Sequence, residues 1–147
     1  MKVVAIVQAR MGSTRLPGKV MKPVNGVPMI ELLLSRLSRA KELDQIVLAT
    51  SVDPRNRLLA EHARKLGFDC EQGSEDDVLE RFVQAAEKYQ ADVVVRITGD
   101  CPLVDWRLVD ECVRKFKSTP VDYLSNITPP TFPDGLDIEV VTLSALQ

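Results

Sequence analysis

No stretch of this sequence approaches the roughly 20 apolar residues of a membrane-spanning helix. The apolar segment in the opening MKVVAIVQAR is also too short for the core of a signal peptide. A membrane partner is therefore not expected, and a cytoplasmic protein is. Charge of one sign is missing as well: 19 Lys and Arg against 21 Asp and Glu leave a formal net charge of −2. No global basic field exists to carry the chain onto nucleic acid, so any anion site has to be local. Cysteine is scarce. Cys70, Cys101 and Cys112 are odd in number and widely spaced, which argues against a disulfide framework or a zinc cluster and fits free thiols in a reducing compartment. The one histidine, His62, falls mid-helix beside an apolar face and reads as structural. With no second histidine, nothing is available to activate Cys101 as a nucleophile.

What is present is the material of one ordinary domain: 147 residues, 45% hydrophobic and 27% charged. KVVAIV, QIVLATS and ADVVVRIT are rich in Val and Ile and apolar almost throughout, the pattern of parallel strands covered on both faces. Between them run segments of helical period. Ile30, Leu33, Leu34 and Leu37 follow Pro28. DPRNRLLAEHARKLG has Asp53 as cap, Pro54 at the first position, Gly67 as terminator, and Leu58, Leu59, Ala63 and Leu66 on one face. SEDDVLERFVQAAEKY sets Ser74 and Asp77 at capping-box spacing before Val78, Leu79, Phe82, Val83 and Ala86, and Asp105 caps DWRLVDECVRKF, where Trp106 is expected to cover the helix start. This order predicts a doubly wound, mostly parallel α/β sheet of Rossmann-like type over residues 1–147. VDYLS and LDIEVVT read as two further strands around a proline-rich loop. The closing LSALQ reads as the first turn of a helix, which suggests a truncated C-terminal end.

The segment QARMGSTRLPGK, Gln8 to Lys19, packs Arg10, Arg15 and Lys19 together with Gly12, Gly18, Ser13 and Thr14 directly behind the first strand. Ligands of open α/β sheets sit beyond the carboxyl ends of the strands, and glycines with cations there suit a polyphosphate. It is neither a Walker A loop, since Val20 stands where the magnesium-binding hydroxyl would be, nor GxGxxG. A solvated basic turn is the plainer alternative. In RITGDCPLVD, Asp100 falls at the same rim, where a carboxylate serves either a turn or a magnesium ion shared with phosphates. The basic loop beside it favours the metal.

These motifs carry a resemblance. QARMGSTRLPGKV, GSEDDVLERF, RITGDCPLVD and FPDGLDIEV occur in this order, and the chain resembles the cytidylyltransferases that activate sugar acids, most closely the spore coat polysaccharide biosynthesis protein F group. The resemblance implies that Arg10, Gly12, Ser13, Arg15 and Lys19 bind the triphosphate and that Ser74 and Arg81 lie near the base or ribose. It implies Asp100 as a Mg²⁺ ligand, Lys19, Arg15 and Asp100 as the catalytic set, and Gly135 and Asp137 as sugar-binding. The sugar-acid enzymes are longer and carry a second acidic metal ligand in their last third. The implied reaction is attack of a sugar hydroxyl on the α-phosphorus of CTP with release of pyrophosphate, for polysaccharide biosynthesis. A nucleotide-binding module without turnover is the alternative, and this chain alone is expected to turn over negligibly. The implied partners are CTP or another nucleoside triphosphate, a sugar or sugar acid, and a second copy in a homodimer.

Overall fold

Alternate residues of strand β1 (Val3–Gln8) enter two different cores in the computed structural model, which describes residues 1–147. Val3, Ala5 and Val7 face helices α1 (Met29–Leu37), α2 (Arg57–Lys65) and α4 (Trp106–Ser118). Val4 and Ile6 face α3 (Val78–Lys88), with α5 (Leu143–Leu146) on the same side. A strand whose two faces are both covered has no use for polar alternation, which is why KVVAIV is apolar throughout. The sheet order is β5-β4-β1-β6-β8-β7, with β4 (Gln45–Ser51), β5 (Asp69–Gly73), β6 (Val93–Thr98), β7 (Tyr123–Ser125) and β8 (Glu139–Thr142). β5, β4, β1 and β6 run parallel, and β8 and β7 are added antiparallel at the β6 edge. The doubly wound, mostly parallel sheet expected from the sequence is the one found. No helix is long and apolar enough to cross a membrane.

Several details differ from expectation. A 3₁₀ turn (Lys19–Met21) and a small antiparallel hairpin, β2 (Pro23–Val24) with β3 (Val27–Pro28), come between the basic loop and α1. Asp53 caps another 3₁₀ turn, Pro54–Asn56, accepting from the Arg55 N–H at 2.9 Å, and α2 begins only at Arg57. That offset rotates the buried stripe onto Leu59, Ala60 and Ala63 and leaves Leu58 exposed. In α3 the N-cap is Asp77, whose side chain accepts from the Glu80 N–H at 2.8 Å, while Ser74 braces the approach by accepting from the Asp77 N–H at 3.1 Å. Leu79 points outward. His62 is structural as expected: its Nε2 lies 3.0 Å from Glu31 and ties α2 to α1.

Candidate functional site

The carboxyl ends of β1 and β6 are neighbours, and the chain crosses from one side of β1 to the other between them, which is where ligands of open α/β sheets bind. Two close backbone approaches shape this rim. Gly18 adopts φ 70° in the left-handed region and donates its N–H to the Met11 carbonyl at 2.8 Å, folding the basic loop back on itself. Gly99 donates to the Gln8 carbonyl at 2.7 Å, and a Cβ there would stand 2.6 Å from both that oxygen and the Ala9 Cβ. Gly99→Ala must therefore push β1 and β6 apart at the site. We expect a loss of about 1–3 kcal/mol in urea unfolding, with an unchanged midpoint as the result that would contradict this packing.

The loop and the β6 end enclose a polar cavity of about 250 Å³, lined by Gln8, Ala9, Arg10, Ser13, Thr14, Arg15, Lys19, Val20, Thr98, Gly99 and Asp100. The three cations of the loop thus converge on one concavity instead of scattering into solvent. Asp100 stands opposite them, its Oδ2 3.4 Å from Lys19 Nζ. Burial pushes the Asp100 carboxyl up, but the Lys19 ammonium and a hydrogen bond from Thr98 outweigh it and hold the group below the usual carboxylate range. Asp100 is kept ionised. Its side chain is 52% exposed, so the pair with Lys19 is worth only about 0–1 kcal/mol, and both partners are available to exchange it for a ligand.

A second, more apolar cavity of about 310 Å³ adjoins the first through Asp100 and is lined by Cys101, Pro102, Leu103, Pro133, Asp134, Gly135 and Leu136. Gly135 thus lines the same cavity as Asp100, whereas Asp137 is not among the lining residues. Cys101 stays a thiol: burial pushes its pKa up, against the hydrogen bond from Thr98, and Asp100 adds to the rise.

Besides Asp137, three expected site residues lie elsewhere. Gly12 faces the Arg55 guanidinium, which would sit 3.2 Å from an added Cβ, and does not line the cavity. Ser74 serves the start of α3. Arg81 is only 2% exposed and lines neither cavity, and its three guanidinium nitrogens have no hydrogen-bond partner. Burial lowers its pKa. Conversely, Glu75, Asn56 and Thr98 were not singled out by the sequence. Thr98 had a signal, its place at the end of an apolar run. Asn56 and Glu75 had none, because their partners are remote in sequence: the Asn56 Oδ1 accepts from the Met11 N–H at 2.8 Å, and Glu75 pairs with Arg10 at 3.4 Å.

No group of three or more His, Cys, Asp or Glu side chains is placed to enclose a metal ion. An ionised Asp100 facing a cationic cradle nevertheless fits magnesium, which is commonly held by one or two carboxylates together with substrate phosphates and water.

Known proteins resemble this chain in both sequence and fold. The cytidylyltransferase family profile matches residues 4–136. The spore coat polysaccharide biosynthesis protein SpsF of Bacillus subtilis is 37% identical over 148 residues, covering 98% of this chain and 60% of SpsF. The 3-deoxy-manno-octulosonate cytidylyltransferase of Geobacter sulfurreducens is 31% identical over 122 residues, 82% of this chain and 47% of that protein. The solved structure of a cytidylyltransferase from Leptospira borgpetersenii superposes with a TM-score of 0.95 at 39% identity, covering 99% of this chain and 62% of that one. The chain thus spans between about half and three-fifths of the length of these relatives.

Proposed function

This chain belongs to the cytidylyltransferase family, and from that premise we propose that it is the nucleotide-binding part of an enzyme that activates a sugar or sugar acid with CTP for polysaccharide biosynthesis. The observation that carries the proposal is the convergence of Arg10, Arg15 and Lys19 on one cavity facing Asp100. A triphosphate brings about four negative charges. Three cations on a half-enclosed rim supply the charge-assisted contacts that hold such a group, and Ser13 and Thr14 add hydroxyls. The acceptor belongs in the adjoining cavity beside Gly135, with Asp137 on the same segment. Asp100, shared by both cavities, stands where the two substrates meet.

In the proposed reaction an acceptor hydroxyl oxygen attacks the α-phosphorus, the bond from that phosphorus to the β-phosphate's bridging oxygen breaks, pyrophosphate leaves, and the hydroxyl proton passes to solvent. No protein nucleophile is needed. Lys19 and Arg15 neutralise charge on the departing phosphates, while the loop keeps attacker and leaving group in line. Asp100 would hold Mg²⁺, which supplies further charge neutralisation on the phosphate oxygens.

The test is pyrophosphate release when the whole enzyme, of which this chain is proposed to be the nucleotide-binding part, is incubated with each of the four nucleoside triphosphates, magnesium and a panel of sugar acids. Release that requires both CTP and an acceptor is expected. Release from another nucleotide in preference to CTP would overturn the choice of base, and nucleotide binding without release for any acceptor would overturn the reaction.

A further inference from the structure

We propose that Glu75 is a positioning residue, one that closes a ring of hydrogen bonds fixing the direction of Arg10. The inference rests on the reading above for what Arg10 is aimed at. The ring runs as follows through the molecule: Arg10 Nη1 donates to Glu75 Oε1 at 3.4 Å, Ser51 Oγ donates to Glu75 Oε2, Asn56 Nδ2 donates to Ser51 Oγ at 2.6 Å, and the Met11 N–H donates to Asn56 Oδ1 at 2.8 Å. Met11 is bonded to Arg10, so the circuit is closed by the chain itself. It gathers the last residue of β4, the 3₁₀ turn before α2, the segment before α3 and the basic loop.

Half of this circuit belongs to the scaffold. Ser51 is 0% and Asn56 1% exposed, and a buried hydroxyl and amide whose partners are all supplied by protein hold one geometry because any other leaves them unpaired. The Arg10 side chain, by contrast, is 44% exposed and has many rotamers to lose. Glu75 joins the rigid half to the mobile one, and it needs both carboxylate oxygens to do so. A second cation, Arg81, lies buried within Coulombic reach of Glu75 and has no hydrogen-bond partner of its own. The carboxylate is thus balanced between two guanidinium groups while Arg10 is presented at the cavity. Fixing a side chain before the ligand arrives lowers the ordering cost of binding.

The experiment compares the full chain with Glu75→Gln, Ser51→Ala, Arg10→Ala and the double variant Glu75→Gln/Arg10→Ala, by calorimetric titration with inorganic triphosphate and with CTP. Melting temperatures establish that each variant is folded. Gln keeps the size of Glu but offers one acceptor oxygen in place of two, so it must drop one arm of the ring. Glu75→Gln and Ser51→Ala are each expected to weaken triphosphate binding about three- to tenfold, and Glu75→Gln should cost nothing further once Arg10 is gone. That non-additivity is what a merely structural role would not produce. Tighter binding by Glu75→Gln would mean that Glu75 competes with the ligand for Arg10, and unchanged binding or additive losses would mean that the ring does not aim it. Each of these overturns the proposal. If Glu75→Gln does not fold, the same cycle between Ser51→Ala and Arg10→Ala decides it. A parent chain that binds inorganic triphosphate but not CTP would overturn the cytidylyltransferase reading, while the variants still decide the role of Glu75.

Discussion

Asp100→Asn, made in the whole enzyme of which this chain is proposed to be the nucleotide-binding part, is expected to leave the melting temperature nearly unchanged and to lower the proposed magnesium-dependent turnover a little over a hundredfold. The substitution keeps the size of the side chain and an oxygen for the Thr98 contact, and the group it alters is half exposed, a combination that places the stability change within about 0.5 kcal/mol. Metal-assisted charge stabilisation is worth several kcal/mol, and losing about 3 kcal/mol of it corresponds to that rate. Turnover measured across a magnesium titration, alongside thermal unfolding, separates the alternatives. A large loss of stability with the metal response preserved would identify Asp100 as a turn residue.

Lys19→Ala should weaken triphosphate binding about tenfold to a hundredfold, since charge-assisted contacts to phosphate contribute roughly 1.5–3 kcal/mol, and Arg15→Ala should follow in the same range. The lysine variant carries a second signature that the arginine variant lacks. Lys19 is the main influence holding the Asp100 carboxyl low against burial. Without it the carboxyl should titrate at higher pH, because desolvation favours the neutral acid. Carboxyl-detected NMR titration reads this directly. Binding like the parent in both variants would reduce the basic loop to a solvated turn.

How much of this was legible in the sequence depends on whether the cause was local. β1, β4 and β6 announce themselves because both their faces are buried, and Gly18 because a left-handed turn is decided by neighbouring residues, whereas the capping-box spacing of Ser74 and Asp77 set the cap of α3 three residues too early. β5 was missed. DCEQG is a polar edge strand whose one wholly apolar requirement is Cys70, and it is a strand only because β4 is there to pair with it. Leu58 was misplaced because the 3₁₀ turn at Pro54–Asn56 shifts the phase of the following helix. In the site, the convergence of Arg10, Arg15 and Lys19 with Asp100 followed from strand order and motif. The roles of Asn56 and Glu75 did not, because each is defined by a contact to the basic loop across a long stretch of chain.

The pairing of β1 with β6, which brings Gln8 opposite Thr98, has a consequence for how the protein is assembled. The two walls of the polar cavity are made far apart in time as the chain emerges during synthesis, and no partly folded species lacking that long-range pairing contains it. A ligand held there binds only the completed sheet. At a concentration a hundredfold above its dissociation constant it would add about 2.7 kcal/mol to the opening of any amide whose exchange requires β6 to leave β1. Hydrogen exchange should therefore slow together along β1 and β6 on saturation with triphosphate, while the small β2-β3 hairpin, which stands outside that sheet, exchanges at its former rate.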